Sequence, residues 1–258
     1  MVQGILENLG KEFLIKLFFK KDPWLSDALN SNVFILFNFL DVNKNSLLVA
    51  FNNLCDQHSC EDLFIFVKLR TDCVKQINKI EDLGFRLIDT NIIFNRNANL
   101  NYKKQIKNNI FIKFAKKYHK NVVGKIAYKN FTFSRFHLDP CIKKSQADNL
   151  KKLWVENFFL GNRGDYMVIA MHNNNPVAFL QLIKKGKSLI IDLIAVSFNY
   201  RGKNIGSSMI NFACKNIECE KIIVGTQISN IPSIKFYQNL GFTPISSDYV
   251  FHYHNKYQ

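Results

Sequence analysis

The stretch Leu189–Phe242 reads LIIDLIAVSFNYRGKNIGSSMINFACKNIECEKIIVGTQISNIPSIKFYQNLGF, and its changes of periodicity decide the fold. Leu189–Val196 is an apolar run broken only by Asp192, the pattern of a buried strand. A polar turn, Ser197–Tyr200, leads into Arg201-Gly202-Lys203-Asn204-Ile205-Gly206. From there Ile205, Met209, Ile210, Ala213 and Ile217 recur at helical spacing. A strand, a glycine-containing loop and a helix in this order offer free backbone N–H groups to an anion at the helix N-terminus. Arg201 and Lys203 add positive charge beside that position.

The same logic continues downstream. Lys221–Gln227 reads as a second apolar strand, and Ser229-Asn230 as the cap of a helix over 231–240. Pro232 suits the first turn of that helix and Gly241 suits its end.

These residues carry a resemblance. Arg201-x-x-Asn204-x-Gly206 resembles the Gln/Arg-x-x-Gly-x-Gly/Ala acetyl-CoA loop of the Gcn5-related N-acetyltransferase (GNAT) superfamily. Asn230-x-x-Ser233-x-x-Phe236-Tyr237-x-x-x-Gly241-Phe242 resembles that superfamily's second cofactor motif. Asn204 stands where the first glycine is usual, and Asn is the non-glycine residue that best tolerates a positive φ. The resemblance implies an α/β fold of the α+β kind. Its sheet would be mixed, mostly antiparallel and twisted, flanked by helices, with a smaller N-terminal half-domain of similar build. It also implies an acyltransferase that uses acetyl-CoA as co-substrate and transfers acetyl directly to an amine.

The resemblance further implies roles for residues. Ile194, Ala195 and Val196 would lie along the pantetheine arm, and Arg201, Gly202, Lys203, Asn204, Ile205 and Gly206 would hold the pyrophosphate. Asn230 and Ser233 would contact the pantetheine, with a helix cap as the alternative role of Asn230. Tyr237 would protonate the departing sulfur.

A narrower resemblance covers most of the chain. LGFRLIDT at 83–90, the loop Ser134-Arg135-Phe136-His137-Leu138-Asp139-Pro140, Gly225-Thr226-Gln227 and the closing Tyr249-x-Phe251-His252 are similar to the dTDP-fucosamine N-acetyltransferases. That family acetylates the 4-amine of dTDP-4-amino-4,6-dideoxygalactose for surface polysaccharide synthesis, and it suggests a homodimer. By this resemblance Asp89 is the candidate base; Asp192, a carboxylate in an apolar run and so either functional or paired, is its rival, with structural roles for both and an amine that needs no dedicated base as the alternatives. Arg135 and His137 either bind the acceptor's phosphates or hydroxyls, or brace their loop. Another amine acceptor, or a CoA-binding module without turnover, remains the alternative.

The chain as a whole sets the limits. Its 258 residues, 47% apolar and 21% charged, suffice for one large or two small globular domains. No apolar run approaches the ~20 residues that cross a bilayer, so no membrane insertion is expected. Glu7, Lys11, Glu12 and Lys16 interrupt the N-terminal apolar positions, which is not a secretory signal, and a cytoplasmic location is expected. The six cysteines form no Cys-x-x-Cys pair and His252-x-His254 lacks a third ligand, so free thiols and no metal are expected. The net charge of +15 includes a run of lysines from Lys103 to Lys125 in what reads as a connecting segment, without a nucleic-acid motif. Small acidic ligands, rather than nucleic acid, fit that field.

The remaining elements follow from local pattern. Strands are expected at 33–40, 47–54, 63–69 and 85–94, with a helix over 71–83 ended by Gly84. The strand–helix–Gly-Phe–strand unit around Gly84-Phe85 is similar to the one around Gly241-Phe242. A domain boundary is placed in the polar segment 95–109, giving domains 1–100 and 101–258. Beyond it come a strand at 110–114, helices near 121–131 and 145–159, and a hairpin of 166–171 with 177–183. A strand at 249–254 closes the chain.

Overall fold

In the computed structural model, described for residues 10–99, 106 and 109–257, the chain divides into two units. One comprises Met1–Thr90 with Ser247–Gln258, the other Asn91–Ser246. This differs from the boundary expected at 100/101. The division falls earlier, and the C-terminal strand crosses it because its last residues pair with a strand of the first unit. Lys103, Lys104 and Lys107 of the lysine run, and Glu7, lie outside the described residues.

The first unit opens with α1 (Lys11–Phe18), β1 (Phe19–Lys21), α2 (Pro23–Leu29) and β2 (Asn32–Leu36). Asp22 accepts from the Leu25 N–H and Pro23 occupies the first turn, which fixes the start of α2. Next comes α3 (Lys44–Gln57), where the sequence reading expected a strand. Leu47, Ala50, Phe51 and Leu54 are its buried residues, spaced i, i+3, i+4, i+7, and the Asn43 side chain caps it. The helical period in that run outweighs its apolar density. Then follow β3 (Leu63–Arg70), α4 (Val74–Asp82) and the start of β4 (Arg86–Asn97). The sheet order is β1, β2, β3 and then residues 248–254 of the C-terminal strand, with only β2 and β3 parallel. Phe18, Leu47, Leu54, Leu63, Ile65 and Phe251 are among its buried core.

The second unit continues with β4 from Asn91, β5 (Ile110–Phe114), α5 (Lys120–Asn130), the short α6 (Arg135–Leu138) and α7 (Lys144–Phe159). Strands β6 (Tyr166–His172), β7 (Asn175–Lys185) and β8 (Ser188–Val196) follow as a meander. Then come α8 (Ile205–Asn216), β9 (Lys221–Gln227), α9 (Ile231–Asn239) and the start of β10 (Thr243–His254). The sheet order is β4-β9-β8-β7-β6-β5, and only the β8/β9 pair is parallel. Alternate side chains supply two cores. Val168, Ala170, Ala178 and Leu180 pack with Met209 and Ile210 of α8. Met167, Ile169, Phe179 and Leu193 pack with Val123 of α5 and Val155 of α7 on the other face.

The likeness between the two Gly-Phe units holds at the level of hydrogen bonds. Gly84 has φ of 82° and Gly241 of 80°, the left-handed turn that ends each helix. Phe85 N–H donates to Ile80 O at 3.2 Å and Phe242 N–H to Tyr237 O at 3.1 Å. Each phenylalanine is then buried at the start of the next strand.

Both units are therefore mixed, mostly antiparallel sheets flanked by helices. The six cysteines are all unbridged. No helix among the described residues is long and apolar enough to cross a membrane.

Candidate active site

The site begins where a ladder stops. β8 and β9 pair in parallel only over Ser188–Ile191 with Lys221–Val224. Beyond this, Leu193–Val196 stay paired with β7, but their other edge is released from β9. The register of β7 with β8 slips by one at this point: Leu182 faces Ile191 and Gln181 faces Leu193, leaving Asp192 as the extra residue of a β-bulge. A bulge bends its strand and increases local twist, so it parts β8 from β9.

Asp192 is also where side chains converge. Arg163 reaches it with two N–H donors, Nη2 to Oδ1 at 2.7 Å and Nε to Oδ2 at 2.8 Å. Gln181 Nε2 donates to Oδ2 at 3.0 Å and Trp154 Nε1 at 3.1 Å. The Arg163 guanidinium lies 4.3 Å over the Trp154 ring. A carboxylate in an apolar strand thus receives four N–H donors, from β7, α7 and the loop after it.

The parted strands open a cleft of about 790 Å³, lined within the second unit. One wall is β8 from Ile191 to Val196, including the expected Ile194, Ala195 and Val196. Another is the loop into α8. Gly202 has φ of 73° and Asn204 of 60°, so Asn204 adopts the left-handed conformation that the motif's glycine would supply. Replacing Asn204 by Val, which costs ~1–2 kcal/mol at such a φ, is expected to weaken acetyl-CoA binding about 10-fold by calorimetry. Asn204→Gly should change it less than about twofold. Equal affinities for the two variants would contradict this account of the loop.

The cations of the loop are placed differently from expectation. Arg201 donates through Nε to Val196 O at 3.1 Å and through Nη2 to Asn130 Oδ1 at 2.9 Å. It lines the cleft while tying the loop to the end of β8 and to α5. Lys203 donates to Asn199 O at 2.9 Å and does not line the cleft. The start of α8, at Ile205 and Gly206, lines the cleft beside this loop, and its first backbone N–H groups are of the kind that can hold an anion.

α9 forms the third wall. Asn230 lines the cleft and also accepts from Ser233 N–H at 3.3 Å, so the capping role is filled. A Cβ added to Gly206 would lie 3.0 Å from the Phe236 ring, so the missing side chain lets α8 start against α9. The next residue, Tyr237, is 3% exposed and lines the cleft. The rings of Phe236, Phe242 and Phe94 surround it at centroid distances of 5.1, 5.4 and 6.4 Å. Burial pushes its phenol above the ordinary value, so the oxygen keeps its proton at any physiological pH.

The remaining expected site residues are placed as follows. Asp89 is buried in the first unit and is not among the cleft's lining residues. His137 and Arg135 sit on α6. The His137 Nδ1 is 2.6 Å from Ser134 Oγ and its Nε2 is 3.1 Å from Asp148 Oδ1, with the imidazole 3% exposed. These two contacts link the loop before α6 to α7, an arrangement of the kind the bracing role needs. Arg135 lies 4.4 Å over the Phe136 ring and does not line the cleft.

That arrangement carries a pH dependence. Burial outweighs Asp148 and lowers His137 below the usual imidazole value of 6.5. A histidine depressed in the folded state binds protons more readily when unfolded. Its contribution to stability is complete above about pH 6.5 and is lost as pH falls. The wild-type thermal midpoint is expected to fall between about pH 7 and pH 5, and His137→Gln to flatten that slope. Parallel profiles would contradict it.

What the sequence reading missed is the remaining wall: Asn130–Ser134, and Lys151 of α7. No motif marks them; their signal is the Phe-x-Phe-Ser approach to α6, legible only once α5 and α7 are seen to flank it.

Residues 133–242 match the family model described as Acetyltransferase (GNAT) family. Among curated proteins, the chain is similar to the spore coat polysaccharide biosynthesis protein SpsD of Bacillus subtilis (strain 168). The two are 30% identical over 133 residues, covering 50% of this chain and 46% of SpsD. The chain spans about half the length of the curated relatives it matches. Among solved structures, it is similar to a functionally unknown conserved protein of Staphylococcus epidermidis ATCC 12228. That match has a TM-score of 0.63 and 16% identity, over 92% of this chain and 90% of that one. A GCN5-related N-acetyltransferase of Sphaerobacter thermophilus matches with a TM-score of 0.61 and 8% identity, over 86% of this chain and 73% of that one. At such identities the structures speak to the fold alone.

Proposed function

We propose that this chain, which carries a GNAT acetyltransferase domain, transfers acetyl from acetyl-CoA to the 4-amino group of a nucleotide-linked amino-deoxy sugar of the dTDP-4-amino-4,6-dideoxyhexose class. The observation that carries the reaction is the release of the β8 edge from β9 beside a buried, protonated Tyr237. An extended pantetheine arm can add to that edge as a strand would, with its pyrophosphate at the start of α8. Backbone groups of Ile194 and Val196 then lie where the thioester oxygen needs a donor.

Transfer is direct. The neutral amine attacks the thioester carbonyl, the new C–N bond forms and the C–S bond breaks. Tyr237 gives its proton to the leaving sulfur, and the proton shed by the attacking nitrogen restores the phenol or passes to water. Asp192 receives four N–H donors, which leaves Asp89 as the candidate base of this reading, beside an amine that arrives neutral and needs none.

Support for the acceptor comes from SpsD, whose name places it in polysaccharide biosynthesis, and from the narrower sequence resemblance. The same resemblance carries the expectation of a homodimer. The test is thiol release from acetyl-CoA with a panel of dTDP- and UDP-4-amino-4,6-dideoxyhexoses. Release dependent on a dTDP-amino sugar supports the reading. Release with other amines alone would move the acceptor, and binding of acetyl-CoA without any release would leave a CoA-binding module.

A further inference from the structure

Tyr237 is held from outside its own helix. β4 pairs with β9 in unbroken register from Asn91 with Gln227 to Asn97 with Lys221, so its side chains stand on a fixed base. Phe94 and Arg96 are two residues apart on that strand, share a face and are both buried. Phe94 puts its ring 6.4 Å from that of Tyr237. Arg96 donates through Nη1 to Leu240 O at 2.8 Å, and Leu240 is the residue that caps α9.

That carbonyl belongs to the turn that Tyr237 begins. Tyr237 O accepts from Leu240 N–H at 3.0 Å and from Phe242 N–H at 3.1 Å. Phe242 meets both side chains: its ring is 5.4 Å from that of Tyr237, and the Arg96 guanidinium lies 5.0 Å over it. Nη2 of the same guanidinium is 3.9 Å from Cys214 Sγ on α8. One side chain of β4 thus joins α8 to the end of α9, all within the second unit.

A guanidinium that is 4% exposed is costly to bury, and an apolar side chain would fill the space at less cost. What an arginine adds is direction. Its planar fork reaches a carbonyl and a sulfur at once while its face covers a ring, which the single ammonium of lysine does not reproduce. A cation at a helix C-terminus also meets the negative end of the helix dipole.

We infer that Arg96 is a positioning residue for proton transfer from Tyr237. It fixes the last turn of α9, and so the place of the phenol, and does not itself line the cleft. The inference rests on the proposed role of Tyr237 and adds how that side chain is aimed. Proton donation needs the oxygen within about 2.6–3.2 Å of its acceptor, so a small shift of the turn is felt in the rate. Asn230 and Ser233, the α9 residues proposed for the pantetheine, sit at the opposite end of the helix, where the Asn230 cap holds them.

The experiment is a double-mutant cycle on the full chain: wild type, Arg96→Met, Tyr237→Phe and the double variant, with an amine that the wild type acetylates. Arg96→Met is expected to lower kcat about 10-fold and to move KM for acetyl-CoA less than about threefold. In the Tyr237→Phe background the same change is expected to lower kcat less than about twofold, because no proton donor is left to misplace. Equal losses in the two backgrounds, or no loss in the first, overturn the inference, since a residue that only supports the fold lowers both. Should Arg96→Met fail to fold, seen by its melting curve, Arg96→Gln, uncharged and without the fork, is read by the same outcomes.

A second readout needs no acceptor and separates this inference from the role it rests on. In protein carrying isotope-labelled tyrosine, the NMR signal of the Tyr237 ring is the one lost in Tyr237→Phe. Replacing Arg96 is expected to move that signal more than any other tyrosine signal. A moved signal with near wild-type kcat in Tyr237→Phe sinks the proton-donor reading and keeps the placement. An unmoved signal with kcat lost in Tyr237→Phe keeps the proton donor and sinks the placement.

Discussion

Tyr237→Phe is expected to lower kcat by about 100-fold or more while moving KM for acetyl-CoA by less than about threefold. The substitution removes one oxygen from a side chain packed against the rings of Phe94, Phe236 and Phe242. Its ring remains, so the packing of the last turn of α9 is kept. What is lost is the proton for the leaving sulfur, an interaction made as the C–S bond breaks and not when acetyl-CoA binds. Because burial holds the phenol above its ordinary value, the donor is protonated throughout the neutral and mildly alkaline range. Wild-type activity should therefore show no alkaline loss from Tyr237 below about pH 10. A variant with near wild-type kcat would remove Tyr237 from the chemistry.

Asp192→Ala is expected to cost about 2–4 kcal/mol of stability and to raise KM for acetyl-CoA about 10-fold. The carboxylate gathers Arg163, Gln181 and Trp154, and its removal takes this acceptor from the buried Gln181 and the half-buried Trp154. The Arg163 side chain is 37% exposed and can turn to water, which holds the cost to this range. The effect on KM follows from position: Asp192 is the bulged residue next to the last β8/β9 pair, so loosening it disturbs the edge the donor adds to. Asp192→Asn, which keeps an acceptor oxygen, should lie between Ala and wild type in both readouts. Urea unfolding and initial rates check them. A stable Ala variant with unchanged KM would show that the bulge is held by the strands alone.

The sequence carried the donor half of the site further than the acceptor half, for a physical reason. Donor binding depends on backbone geometry at fixed local spacing. Asn204 at a positive φ, Pro232 and the Asn230 cap, and Gly206 against Phe236 are all legible as residue types at intervals. Asp192 stood out as a charge in an apolar run, but its partners did not. Arg163 and Trp154 come from elements with no periodic relation to β8, and a register slip leaves no mark in one strand's sequence. The wall that includes Lys151, and the bonds of His137 to Ser134 and Asp148, depend on such tertiary placement.

The same distinction explains the helix at Lys44–Gln57. There a dense apolar run satisfied both periods, and a buried face at i, i+3, i+4, i+7 decided between them. The placement of the C-terminal strand in both units is a tertiary fact of the same kind, set by its pairing with Phe64–Arg70.

Incubation with acetyl-CoA labelled in the acetyl group, together with a dTDP-4-amino-4,6-dideoxyhexose, tests the central claim most directly. The account predicts one labelled acetyl on the nitrogen at C4, formed in equal amount with free CoA and lost in Tyr237→Phe. Free CoA without acetylated sugar, or intact acetyl-CoA that still binds the chain in the presence of every amino sugar, would contradict it.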